Sequence, residues 1–273
     1  YPFCTCIASP ILGQLSDRFG RKPVLAISIF GTSIGYVLFA IGISTANLPL
    51  LFASRALDGF TGGNLAVANA AIGDISTNEN RAKNFGFLGA AFGMGFIVGP
   101  YLGGKLSSPG VSFYGLFDTP SWFGATTPFW FAAIIALMNC TAVITTFPET
   151  IKEKFHGGKI RVGQAVNNVV NGFKSDRLRV VLISSFLFSA GFTFFTTFFG
   201  VYLRNKFSFS SSKIGDYFAI VGLCIALSQG LVVGRVAKKL VDYKVLKFSM
   251  FGTGAMMLIY FLNISNLIIF ISD

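Results

Sequence analysis

Charge is scarce in this sequence. Asp, Glu, Lys and Arg make up 12 % of its 273 residues, half the ~25 % usual in a soluble domain. Hydrophobic residues make up 53 %, and 32 residues are Phe. A single water-soluble core has no use for so much apolar surface, which excludes an ordinary soluble globular protein. Histidine is nearly absent: His156 stands alone beside Gly157 and Gly158, a setting that suits a solvated loop. A polytopic membrane enzyme is a reading from a different class, but with no His-Ser-Asp set and no clustered metal ligands the chain is not expected to be one, and neither a catalytic residue nor a metal site is assigned. The four cysteines are scattered. Cys4 and Cys6 are two apart and point different ways on a helix, while Cys140 and Cys224 lie in apolar runs. They read as small hydrophobes in packed helices. No cleavable signal with a basic flank and small-residue exit is visible. Tyr1, not Met, opens the sequence inside an apolar stretch, so an earlier segment is expected to be missing.

What is there is a series of long apolar stretches. A partial one covers about 1–12. Complete ones follow near 24–44, 49–73, 85–103, 128–147, 180–203, 214–234 and 246–264, and another begins near 267. A helix rising 1.5 Å per residue needs roughly 20 apolar residues to cross ~30 Å of hydrocarbon. The runs do not alternate apolar with polar as barrel strands do. The predicted fold class is therefore all-α, a polytopic membrane helical bundle whose first partner is the lipid bilayer.

The net charge of +11 does not point to nucleic acid, because the basic residues sit in alternate loops. Seventeen fall in 13–23, 76–84, 148–179 and 235–247; the intervening loops hold only Lys105, Arg204, Lys206 and Lys213. Short basic loops stay in the cytoplasm, which predicts the orientation. The longest and most charged loop, 148–179, divides the spans into two groups. Within it Val162, Val166, Val169, Val170 and Phe173 recur at helical spacing, predicting an amphipathic helix on the inner membrane face. A weak repeat supports the division: 13–25 and 234–246 are both glycine-led basic loops ending in Val-Leu.

The stretch from Gly13 to Leu25 reads GQLSDRFGRKPVL. Its Gly13, Asp17, Arg18, Gly20, Arg21 and Lys22 closely resemble the signature loop between helices 2 and 3 of the major facilitator superfamily. A positive-inside loop alone explains the Arg and Lys residues but not Gly13, Asp17 and Gly20 at that spacing. Glycine at 13 permits close helix approach and at 20 a tight turn. The resemblance implies two pseudo-symmetric six-helix halves, incomplete here, with helix 1 and the last helices missing. The first half is then 1–147 (helices 2–6), the linker 148–179, and the partial second half 180–273 (helices 7–9 and the start of 10). It also implies that the signature charges latch the halves together, and that Asp74, at the inner end of the span 49–73, pairs with Arg21.

The span 49–73 carries two charges, Arg55 and Asp58. Each costs ~2.5–3.5 kcal/mol at a bilayer centre on insertion scales, so both need a reason. Three apart, they share a helix face and can partly neutralise each other. Arg55 with Gly59 is similar to the superfamily's helix 4 motif, whose arginine is implicated in proton coupling; Asp58 then reads as a proton site or a fixed partner. Asn64 and Asn69 are polar candidates for the pathway. In the next span Gly95, Gly99 and Gly103 are four apart and predict a track for helix packing, and Pro100 allows a bend. Gly95, Gly99, Pro100, Gly103 and Gly104 together resemble the antiporter motif of the superfamily's exporters. Gly99 to Lys105 is also a near phosphate-binding loop, but Leu106 replaces the required Ser or Thr and no strand precedes it.

Phe147-Pro148-Glu149-Thr150 resembles tetracycline-resistance exporters and sugar porters of the superfamily, with less discrimination. Phe192, Phe194, Phe195, Phe198 and Phe199 are candidates for an apolar pocket, of which Phe195 is retained as a site residue, with Gln229 a modest polar candidate. In the second basic loop Lys238 stands where the first has Asp17 and Val241 where it has Gly20, so any latch there is differently wired. The resemblance thus implies a monomer exporting small amphipathic molecules against protons, with no cofactor beyond the proton gradient. A nutrient or sugar uniporter or symporter on the same fold is the alternative. A non-transporting membrane receptor on the same scaffold is the weaker one.

Overall fold

The computed structural model describes residues 1–77, 79–112, 118–151, 170–227 and 247–256. Eight helices carry the architecture: α1 (Pro2–Phe19), α2 (Arg21–Ser44), α3 (Leu48–Thr61), α4 (Asn64–Asp74), α5 (Arg81–Leu106), α6 (Thr127–Thr146), α7 (Asp176–Phe207) and α8 (Ser211–Leu227). Residues 247–256 are also helical. Strand pairing among the described residues is confined to an isolated bridge between Ser112 and Asp118. The stretches Arg21–Ser44, Lys83–Leu106, Thr127–Thr146 and Leu178–Phe207 are long and apolar enough to cross a membrane.

The core gathers on α2, which packs against α3, α4 and α6. Its buried face is built largely from Ala26, Ser28, Ser33, Gly35, Ala40 and Gly42, alongside Val24, Leu25 and Ile29. Lipid tails are as apolar as leucine, so helices in a bilayer associate through close packing and interhelical hydrogen bonds, and small residues allow both. Ser33 Oγ donates to the Ala133 carbonyl at 2.8 Å and Cys140 Sγ to the Ala26 carbonyl at 3.3 Å, joining α2 to α6. Toward α3, a methyl added at Gly31 would collide with Thr61, and one at Gly35 would stand 3.1 Å from Asp58 Cβ. One added at Gly42 would stand 2.8 Å from Leu51. The outward faces are the opposite: Phe186, Leu187 and Phe194 of α7 and Ile134 and Met138 of α6 are all exposed. That surface belongs in hydrocarbon.

Three expectations change. The signature segment is not a loop: α1 continues through it to Phe19, and Gly20 alone separates α1 from α2. Charged residues continue a helix readily once it emerges from the apolar layer, and only a glycine breaks this one. The span expected over 49–73 is two helices, interrupted at Gly62–Gly63. Glycine lowers helix propensity by ~1 kcal/mol per residue, and here two are adjacent. Gly63 also meets α1 directly, a methyl there standing 2.9 Å from the Ser9 amide nitrogen. Third, the packing track expected on α5 is open: methyls added at Gly95, Gly99 and Gly103 meet nothing within 4 Å, and of the motif glycines Gly104 is the one tightly packed. The linker helix through Val169, the second basic loop at 234–246 and the stretch from 267 lie outside the described residues.

Candidate functional site

The first charged cluster forms where four chain segments converge. Gly20 takes φ +111° and ψ 155°, a region essentially reserved for glycine, and its amide still closes α1 by donating to the Ser16 carbonyl at 3.0 Å. The chain turns there and α2 starts at once. Its first amides, those of Arg21 and Lys22, donate to Glu149 Oε1 and Oε2 at 2.8 and 3.3 Å. A carboxylate at a helix N-terminus satisfies donors that have no partner within the helix and complements the helix dipole.

The Arg21 side chain folds back and is buried. It donates from Nε to Asp74 Oδ2 at 2.9 Å and from NH1 to Ser16 Oγ at 2.6 Å, and pairs with Asp17 Oδ1 at 2.6 Å. Thr150 Oγ1 donates to the same Asp74 oxygen at 3.2 Å. The ends of α1 and α4, the start of α2 and the segment after α6 are thereby tied through one guanidinium and one carboxylate. Partial burial pushes the Glu149 carboxyl up, but the amides of Arg21, Ile151, Lys22 and Thr150 outweigh that and hold it below the ordinary carboxylate range. Arg18 is exposed, Lys22 is half-buried, and a methyl added at Gly13 meets nothing within 4 Å, so the close approach expected there is not made.

The second cluster lies within α3. Arg55 NH1 and Asp58 Oδ2 are 3.2 Å apart, with the aspartate buried and the arginine half-exposed. The shared face follows from their spacing; the arginine's other neighbours do not. Its guanidinium carbon stands 3.8 Å from the ring centre of Phe39 and 5.6 Å from that of Phe129, and those rings are 4.6 Å apart. A cation desolvated over an aromatic face gains ~2 kcal/mol, a large share of what the membrane interior withholds.

The remaining candidates disperse. Asn64 lines a cleft of about 400 Å³ between α2, α4, α5 and α6, with Gly99, Gly103, Thr32, Tyr36 and Asn139; Asn69 does not. Gly95 and Pro100 line a second cleft with Phe92 and Phe96. Phe195 stacks 4.6 Å from Phe199, which is itself buried against Tyr217 and Phe218 of α8. Phe194 and Phe198 are exposed. Gln229 lies outside the described residues. Sequence reasoning missed Glu149 as a site residue, and Phe39 and Phe129 altogether. For the glutamate a signal was present, in Phe147–Thr150 following the last helix of the first group.

An all-helical, lipid-facing bundle with a buried ion pair in one helix and a charge-tied turn between two others has the character of a polytopic membrane carrier. A Major Facilitator Superfamily sequence profile matches residues 1–272, and the chain belongs to that family, whose members are multi-pass membrane transporters and not enzymes. Among curated relatives, the class H tetracycline resistance protein of Pasteurella multocida is 32 % identical over 88 % of this chain and 56 % of its own length. The class B protein of Escherichia coli is 33 % identical, over 88 % and 55 %. Multidrug resistance protein 2 of Bacillus subtilis (strain 168) is 26 % identical, over 92 % and 59 %. The crystal structure of the human organic anion transporter MFSD10 (TETRAN) shares the fold, with a TM-score of 0.61 at 23 % identity over 86 % of this chain and 55 % of that one. The chain spans a little over half the length of these relatives.

Proposed function

We propose that the protein is a proton-coupled exporter of small amphipathic molecules that works by alternating access. The observation that carries this is the Arg55–Asp58 pair: a buried carboxylate and a half-exposed guanidinium 3.2 Å apart in one helix, in a chain with too few charges to spend any idly. Asp58 takes up and releases the transported proton, and Arg55 tunes and shields it. The tetracycline and multidrug resistance proteins among the relatives support amphipathic drugs or metabolites as cargo.

In this reading residues 1–147 form one half and 180–273 part of the other, joined by the linker 148–179. The basic ends carry the Arg21 cluster into the cytoplasm, and the protein acts as a monomer. Asp17, Arg21 and Asp74 hold the inner gate, with Gly13, Arg18, Gly20 and Lys22 shaping its turn. Gly95, Gly99, Pro100, Gly103 and Gly104 keep α5 slim where it borders the clefts and α8, and Asn64, Asn69, Phe195 and Gln229 are the cavity candidates. The test is a substrate-panel flux assay on the full-length protein in liposomes, with and without an imposed pH difference. Proton movement opposite to substrate is expected. Saturable flux indifferent to the gradient would instead establish a uniporter.

A further inference from the structure

The most extensive helix pairing among the described residues is between α5 and α8, although more than a hundred residues separate them; α8 touches its chain neighbour α7 far less. The seam is nearly bare backbone. Gly215 of α8 lies against Pro100, Tyr101 and Gly104 of α5, and Gly222 lies against Ile97. A methyl added at Gly104 would stand 2.5 Å from the Ser211 carbonyl oxygen, one at Gly215 2.7 Å from that of Pro100, and one at Gly222 2.6 Å from Ile97 Cγ1. Positions 97, 100, 101 and 104 make one stripe of α5, and 215 and 222 stand two turns apart on α8, so the contact runs along both helices. Such a seam closes by shape alone.

At its rim stands one ion pair. Lys105 Nζ lies 3.0 Å from Asp216 Oδ2, the lysine side chain 12 % exposed and the aspartate 41 %. Each charge is the immediate neighbour of a glycine in the tight contact, Gly104 and Gly215. The pair is therefore formed while the two helices are in contact, and is lost once they part by more than the lysine stem can follow. The ammonium is also 5.6 Å from the Tyr101 ring centre. Both residues lie near helix ends, Lys105 in the last turn of α5 and Asp216 within two turns of the start of α8, where a parted lysine can snorkel to the interface and the contact is reversible.

We infer that Lys105 and Asp216 form an ionic latch between the two halves, at the opposite end of the bundle from the Arg21 cluster, and that it biases the alternating-access equilibrium toward the state closed at that end. This rests on the two-halved transport reading above. α5 runs from Arg81, beyond the end of α4 that holds Asp74, to Lys105 at its far terminus, so the two charged devices lie at opposite ends of one helix length. A partly exposed ion pair contributes little to folding. In a two-state carrier the same small energy resets a population ratio, because it exists in one state only.

The test uses the full-length protein in lipid nanodiscs, on a cysteine-free background, with spin labels at Pro109→Cys and Ser212→Cys and distances read by pulsed electron resonance. Lys105→Glu and Asp216→Lys should each move the ratio of long to short separations about fivefold toward long. The double reversal should return it to within about twofold of the starting value. Lys105→Gln, which adds no repulsion, should give a smaller shift of the same sign and serves if a reversal fails to fold. Identical distributions for the parent and Lys105→Gln, or a double reversal resembling the singles, overturns the latch. Flux measured in parallel separates the two ideas. Unchanged distances with retained proton-coupled flux remove the latch alone. Shifted distances in the variants, with saturable but uncoupled flux in the parent, remove the proton coupling and leave the latch standing.

Discussion

Glu149 Oε1 lies 2.8 Å from the backbone amide of Arg21, a contact made across 128 residues. It makes the segment following α6 the cap of α2, so the first group of helices is closed through its own last residues. Glu149→Ala should lower thermal stability in detergent by ~1–2 kcal/mol, the range for losing a helix cap. Glu149→Gln, which keeps an acceptor but not the charge, should lose about half of that.

The same carboxyl predicts a pH dependence. Its folded pKa is held low by the four amides, so its contribution to stability is complete above the unfolded value of about 4.3. That contribution is lost as pH falls through the depressed folded value. Melting temperatures of the parent and Glu149→Gln should differ at neutral pH and converge in strong acid. A gap that widens on acidification would contradict the capping role.

Arg21 is the only contact common to Asp17, Asp74 and Ser16 in the first cluster. Arg21→Ala leaves two carboxylates facing a vacated site, but Asp17 is half-exposed and Asp74 partly so, so the cost should be ~1–2 kcal/mol, below that of stranding a fully buried charge. Arg21→Lys should rescue less than half, because one ammonium cannot reproduce a planar fork aimed at several acceptors. Thermal unfolding of both variants measures this. Equal stability of Lys and Arg at this position would show that charge alone matters.

For the buried pair, Asp58→Asn should leave substrate binding measurable while abolishing proton movement coupled to it. Phe39→Leu should keep coupling but cost ~1–2 kcal/mol of stability through the lost ring. Coupled flux persisting in Asp58→Asn would remove that residue from the proton path.

Glycines separate packing from openness. Gly31→Ala drives a methyl into Thr61 and should destabilise by ~1–3 kcal/mol, as overpacking does. Gly73→Ala, where an added methyl meets nothing within 4 Å, should be neutral or slightly stabilising. Unfolding midpoints of the two variants check the order.

What could be read from sequence was what repeats or lies close along the chain. Runs of apolar residues gave the helices, the three-residue spacing of Arg55 and Asp58 gave their shared face, and the motif likeness gave the Arg21–Asp74 pairing that the structure contains. Contacts between distant segments carry no local periodicity: Glu149 on Arg21, Phe39 and Phe129 around Arg55, and Lys105 on Asp216 all depend on how helices are laid side by side. The glycine seam is instructive. α2 holds Gly31, Gly35 and Gly42 as plainly as α5 holds Gly95, Gly99 and Gly103, and spacing alone cannot say which set has a neighbour.

The interruption at Gly62–Gly63 bears on how the chain enters its membrane. α3 has 14 residues and α4 has 11, about 21 and 16 Å at 1.5 Å per residue, and neither piece alone reaches across ~30 Å of hydrocarbon. The first also brings an arginine and an aspartate, each opposed by ~2.5–3.5 kcal/mol during translocon-mediated insertion. As a solitary stop-transfer signal this stretch is poor. Both pieces pack against α1 and α2, so this stretch is better held in the membrane beside those helices than as a solitary segment.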